Sequence, residues 1–117
     1  MMRVVEMPDG RVVICDGKEV VITDGQSALD FIASVAYEYE CNKIVVNKEA
    51  ICEDFFDLST GIAGDVAQKF VNYHIRFAIM GDFSEHDSKS LKDYIFECNK
   101  RGPLYFVGGE EEALKKL

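Results

Sequence analysis

The chain has 117 residues, 48% of them hydrophobic, which is enough for one core and predicts a single domain without a linker. Acidic residues outnumber basic ones by 21 to 13, and a formal charge of −8 with no segregated lysines argues against nucleic acid or an anionic membrane as partner. No apolar run nears the roughly 20 residues that span a bilayer, and Met1-Met2-Arg3 followed by alternating residues is not a secretory signal, so a cytoplasmic protein is expected.

The first quarter reads as strands. "RVVEM" and "RVVIC" flank "PDG", and Asp16-Gly17 leads into "KEVVI"; Asp-Gly between β-branched runs predicts an antiparallel meander. From Asp24 the period changes, with Ala28, Leu29, Ile32, Val35, Ala36 and Tyr39 at helical spacing. Asp24 is the expected cap, and Ser27 with Asp30 forms a capping box if the helix begins later. "KIVVN", Lys43 to Asn47, has the length of a buried strand, and "ICEDFFDL" is a connector with two phenylalanines to bury.

The second helix is expected from Ser59 or Thr60 to about Asn72, with Ile62, Ala63, Val66, Ala67, Phe70 and Val71 as its apolar stripe. "IRFAIMG", Ile75 to Gly81, reads as the central strand and "DFSEHD" as a polar loop. Ser88 or Asp87 caps a third helix reaching about Lys100, which Gly102 and Pro103 stop. "LYFVGG" is a last strand, and "EEEALKKL" a short helix with its acids and lysines at the favourable ends of the dipole. The fold class is therefore α/β: one domain, a mixed sheet with a parallel centre, antiparallel N-terminal hairpin strands and about four helices.

Chemistry is hard to find in this pattern. A phosphate-binding loop needs Gly-x-x-x-x-Gly-Lys with a hydroxyl, and a dinucleotide site needs Gly-x-Gly-x-x-Gly after a strand; neither occurs. Gly108-Gly109 does precede a helix, but Glu110, Glu111 and Glu112 would repel a phosphate there. Glu85-His86-Asp87 reads as solvated loop, Asp54 and Asp57 as caps, and no Gly-x-Ser-x-Gly elbow appears. Cys15, Cys41, Cys52 and Cys98 lie far apart without Cys-x-x-Cys spacing and read as small hydrophobes. No catalytic residue, metal or cofactor is expected.

"DLSTGIAG" stands out instead. Ser59 and Thr60 sit where a helix has unpaired amides, so they suit a cap, and a phosphate on either would meet the dipole's positive end. Gly61 and Gly64 each cost up to about 1 kcal/mol inside a helix, which implies that another backbone comes close. The backbone expected there is the protein's own sheet, with a second chain as the alternative. Asp57, Ser59, Thr60, Gly61 and Gly64 thus form a candidate binding or regulatory loop for a protein partner or for self-association, including a homo-oligomer. The alternative is a small-ligand pocket or enzyme site at the carboxyl ends of the central strands, near Gly81, with Asp82, Ser84, His86 and Ser88.

The order of elements, with a loop of hydroxyl, hydroxyl, Gly, aliphatic and small residue opening a helix, resembles the STAS domains of anti-sigma factor antagonists. Their Asp-Ser-Ser-Gly motif carries a phosphorylatable hydroxyl, and Ser59-Thr60-Gly61-Ile62 matches its last part. The resemblance implies Thr60 as the modified position; Leu58 stands where that motif has Asp, and the acid lies one residue earlier at Asp57. "FFDLSTGIAGDVAQKFVNY", "FAIMGDFS" and "SKSLKDYIFECN" are similar to the bacterial family called domain of unknown function 4180. That likeness covers most of the chain. It implies a small STAS-like α/β domain and brings no activity with it.

Overall fold

Two short runs, each with a Val-Val pair after an arginine, pair as an antiparallel hairpin, β1 (Met2–Met7) with β2 (Gly10–Cys15), turned by Pro8 and Asp9. The computed structural model describes residues 2–117. After the hairpin, helices and strands alternate: α1 (Gly25–Tyr39), β3 (Lys43–Asn47), α2 (Ile62–Asn72), β4 (Arg76–Met80), α3 (Lys89–Arg101), β5 (Leu104–Val107) and α4 (Glu110–Lys116). The five strands lie side by side in chain order, and β2 through β5 run parallel.

Sequential order has a consequence. Right-handed crossovers, each stepping to the next strand, put every connecting helix on the same face. Ala28, Ile32 and Val35 of α1, Ala63, Val66 and Phe70 of α2, and Leu91 of α3 all join one core with Val13, Ile44, Val46, Phe77, Ile79 and Phe106. The alternate residues Val12, Ile14, Val45, Ala78, Tyr105 and Val107 face the other way and are covered by Ala113 and Leu117 at the end of the chain. Each aliphatic side chain buried this way stabilises by about 1.5–3 kcal/mol, and burial on both faces explains the unbroken apolar runs of β3 and β4.

Two expectations are corrected here. "KEVVI" is not a third strand of a meander: Val20 and Val21 are exposed, and only Ile22 makes a bridge, parallel, to Ile51. Parallel β3 already occupies the second edge of β2, so an antiparallel neighbour has nowhere to pair. The capping box of α1 joins Asp24 to Ser27, not Ser27 to Asp30. Ser27 N–H donates to Asp24 Oδ1 at 2.8 Å, and Asp24 N–H donates back to Ser27 Oγ at 3.0 Å.

Both termini of the sheet need attention, because an edge strand has unpaired polar groups. On β5 those of Phe106 are met by a side chain. Phe106 N–H donates to Asn99 Oδ1 at 2.7 Å, and Asn99 Nδ2 donates to Phe106 O at 3.1 Å, so one amide of α3 mimics a neighbouring strand. Phe106 is only 3% exposed, so water cannot replace that amide. Asn99→Ala should therefore lower stability by about 1–3 kcal/mol, the cost of orphaned buried groups, measured as a fall in the urea midpoint. An unchanged midpoint would show that Asn99 is dispensable.

Candidate functional site

Parallel strands end together, so the segments that follow them gather at one end of the sheet. After β3 come three 3₁₀ turns, Lys48–Ala50, Glu53–Phe56 and Leu58–Thr60; after β4 comes the loop from Gly81 to Ser88. Phe56 joins them. Its buried ring lies 6.0 Å from that of Phe83 and stacks on His86 at 5.2 Å with an interplanar angle of 22°. The Lys48 ammonium sits 5.7 Å from the Phe56 centroid and 5.6 Å from that of Phe83, within reach of a cation–π attraction.

Lys48 is nearly buried, its side chain 9% exposed, so its charge must be met. Its Nζ donates to Asp82 O at 2.9 Å and to the Glu85 carboxylate. Glu85 reaches in from the surface, and the hydrogen bond and charge of Lys48 hold its carboxyl below the usual glutamate range. Gly81 lets the β4 backbone pass the lysine stem, since a Cβ there would lie 2.8 Å from Lys48 Cβ. The "DFSEHD" loop is thus not simply solvated. Phe83 packs against the main core, and His86 Nε2 is buried with no hydrogen-bond partner among the described residues.

The two loops share a local device, an aspartate whose carboxylate folds back onto the serine two residues on. Asp57 Oδ1 accepts from Ser59 N–H at 3.1 Å and Ser59 Oγ at 2.6 Å; Asp82 Oδ1 accepts from Ser84 N–H at 2.9 Å and Ser84 Oγ at 2.6 Å. The serine hydroxyl, then its amide, lowers each aspartate's pKa. Thr60 is also engaged: its hydroxyl shares one proton between Asp54 O at 2.9 Å and Asp57 O at 2.8 Å, and accepts from Ile62 N–H at 3.2 Å.

These bonds shift the start of α2. Ser59 and Thr60 belong to a 3₁₀ turn, Gly61 takes the cap position with φ of 78°, and the helix begins at Ile62. A left-handed φ explains Gly61. Gly64 is different, and the expectation that it packs against the protein's own sheet is overturned: apart from its chain neighbours and its own helix backbone, a Cβ on Gly61 or Gly64 would meet nothing within 4 Å. Both are exposed.

Asp57, Ser59, Thr60, Gly61 and Gly64 therefore form one continuous exposed turn. Asp82 and Ser84 lie on the neighbouring loop, His86 is turned inward, and Ser88 caps α3 by accepting from Leu91 N–H at 3.2 Å. None of these last four lines the cleft beside them. That cleft, about 370 Å³, is bounded by Lys18, Val20, Lys48, Ile51, Glu53 and Glu85 among others. Lys48, Phe56 and Glu85 are the residues that sequence reasoning missed. The one signal was a lysine placed directly after a buried strand, where a charge needs a partner.

Among the described residues, no group of three or more His, Cys, Asp and Glu side chains is placed to hold a metal ion, and no helix is long and apolar enough to cross a membrane. Residues 8–117 match the family described as Domain of unknown function (DUF4180), and the chain belongs to that family. No curated protein and no solved structure matches it.

Asp9, Asp57, Asp82 and Glu85 are all more acidic folded than their ordinary values of 3.8 for Asp and 4.5 for Glu. Such groups stabilise the fold above the ordinary value and lose that contribution as pH falls through the lower, folded one. Urea midpoints should thus be level above about pH 5 and drop below pH 4. Glu85→Gln should make the acid loss shallower; an identical acid profile for wild type and variant would contradict the Lys48 contact.

Proposed function

We propose that the chain is a bacterial, cytoplasmic STAS-like regulatory module that binds another protein through the Ser59–Gly64 turn and the outer face of α2. Element order and the hydroxyl-hydroxyl-Gly turn before α2 support the STAS-like reading. Gly64 carries the binding reading. Glycine inside a helix costs up to about 1 kcal/mol against alanine, and apart from its chain neighbours and its own helix backbone no atom within 4 Å of the missing Cβ offsets that cost. A bare stretch of backbone is then kept for a surface that arrives from outside.

Regulation is proposed at Thr60, with Ser59 as the second choice. A phosphoryl group transferred from a nucleoside triphosphate by a separate kinase would replace the hydroxyl proton that Thr60 now gives to the carbonyls of Asp54 and Asp57. The turn would lose its internal tie, and the new charge would stand between the Asp57 carboxylate and the positive end of α2. Intact mass of protein purified from its own cell tests this. The added mass of one phosphoryl group, absent from Thr60→Val, is expected; its absence across growth conditions would contradict the switch.

A second reading has one observation in its favour, the cleft of about 370 Å³ against Lys48, which fits a small polar ligand at the usual end of a parallel sheet.

Glycine substitutions separate packing from binding. Gly64→Ala should stabilise the fold by about 0.5–1 kcal/mol. Gly61→Ala should destabilise it by about 1–2 kcal/mol, because a side chain at φ of 78° is strained. Gly64→Leu should keep the fold and weaken a purified protein partner at least tenfold, read by calorimetry; wild-type affinity in Gly64→Leu would refute the proposed surface.

A further inference from the structure

The two edges of the sheet are treated unequally. On β5, Asn99 satisfies the outward N–H and C=O of Phe106 and leaves that position unable to accept another strand. On β1 the outward backbone groups are left open. Arg11 O accepts from Asn42 N–H at 3.3 Å, so Arg11 faces β3, and its neighbours Gly10, Val12 and Ile14 face β1. By the alternation of an antiparallel ladder, Met7, Val5 and Arg3 then spend their backbone groups on β2. Met2, Val4 and Glu6 turn theirs outward, and no side chain among the described residues bonds to them.

Of the devices that usually blunt such an edge, charge is present, at Arg3 and at Glu6, which pairs with Arg11. β1 carries no lysine and no bulge, and Pro8 lies in the turn beyond it. Arg3 is drawn aside to Glu110 and Asp16, and Val4 leaves 41% of its surface exposed.

We propose that β1 pairs with β1 of a second copy of this chain, antiparallel and with Val4 on the two-fold axis, to make one continuous ten-stranded sheet. The register follows from the backbone. A two-fold axis normal to the sheet keeps each residue on its own face, so residues of like parity must oppose one another. Only pairing of the outward set with itself uses all three: Val4 opposes Val4 of the partner subunit, and Met2 opposes Glu6 of the partner subunit. Antiparallel pairing of one edge with its own copy is self-complementary and closed. Such pairing uses up the β1 edge of both copies and so ends at two, and on the far edge Asn99 blocks the Phe106 position. The surface lies on a different strand from the Ser59–Gly64 turn, and the inference does not depend on the function proposed there.

The test is mass by light scattering across a concentration series, with amide hydrogen exchange on the same samples. Wild type should reach twice 13.2 kDa. Its Val4 and Glu6 amides should slow at least about tenfold as the dimer fills, while those of Arg3, Val5 and Met7 are already protected in the monomer. Val4→Pro removes an outward donor without taking one from β2, and Val4→Lys places a charge on the edge; both should be monomers with unchanged circular dichroism. Two results would overturn the proposal. One is a wild type that stays at 13.2 kDa with freely exchanging Val4 and Glu6 amides, which would leave the edge to a strand from a different protein. The other is a dimer that survives in both variants, which would place the interface elsewhere.

Discussion

The Phe56 ring ties together segments that the chain keeps well apart. Phe55 meets it edge-on at 5.0 Å, His86 stacks on it at 5.2 Å, Phe83 approaches to 6.0 Å, and the Lys48 ammonium stands 5.7 Å away. Aromatic contacts of this kind contribute about 0.5–1.5 kcal/mol each beyond the area they bury. Together with the Lys48–Glu85 pair they fix the loop after β4 against the turns after β3. The exposed Asp57–Gly64 turn starts at the residue after Phe56, so its position is set from beneath by that ring.

Strand order explains why these segments meet. With β2 to β5 parallel and in sequence, all their following loops emerge at the same end, and three helices crowd one face while α4 alone covers the other. The same order fixes which strands become edges. On β5 Asn99 meets the backbone of Phe106, whereas among the described residues β1 ends the sheet with an unmet row of backbone groups. An exposed turn at one end and an open edge at one side are thus two results of a single topology. Each surface is available without disturbing the other.

Much of this fold was legible because local chemistry and tertiary packing agree. "KIVVN" was read to its observed bounds, since its centre, Ile44 to Val46, is buried on both faces and apolar, and Ser88 and Gly102 delimit α3 as cap and stop. "KEVVI" failed because β-branched residues report a preference for extended backbone and say nothing of whether a neighbouring edge is free. The candidate turn was legible as a cluster of hydroxyls and glycines, but not the direction in which Gly64 opens, which depends on what packs nearby. The pairing of Lys48 with Glu85 was hidden for a similar reason: position after a buried strand marks Lys48 as needing a partner, but only the loop after β4 brings Glu85 to it over Phe56.

Through Phe56 the turns after β3 and the loop after β4 form one coupled surface. Amide hydrogen exchange on Phe56→Leu tests it most directly, because the substitution keeps the site apolar and removes the ring's stacking partners. Protection should fall together in Asp57–Asp65 and in Asp82–Ser88, with β1 and β2 unchanged. Loss confined to one of the two segments would contradict the account, and so would a uniform loss over the whole sheet.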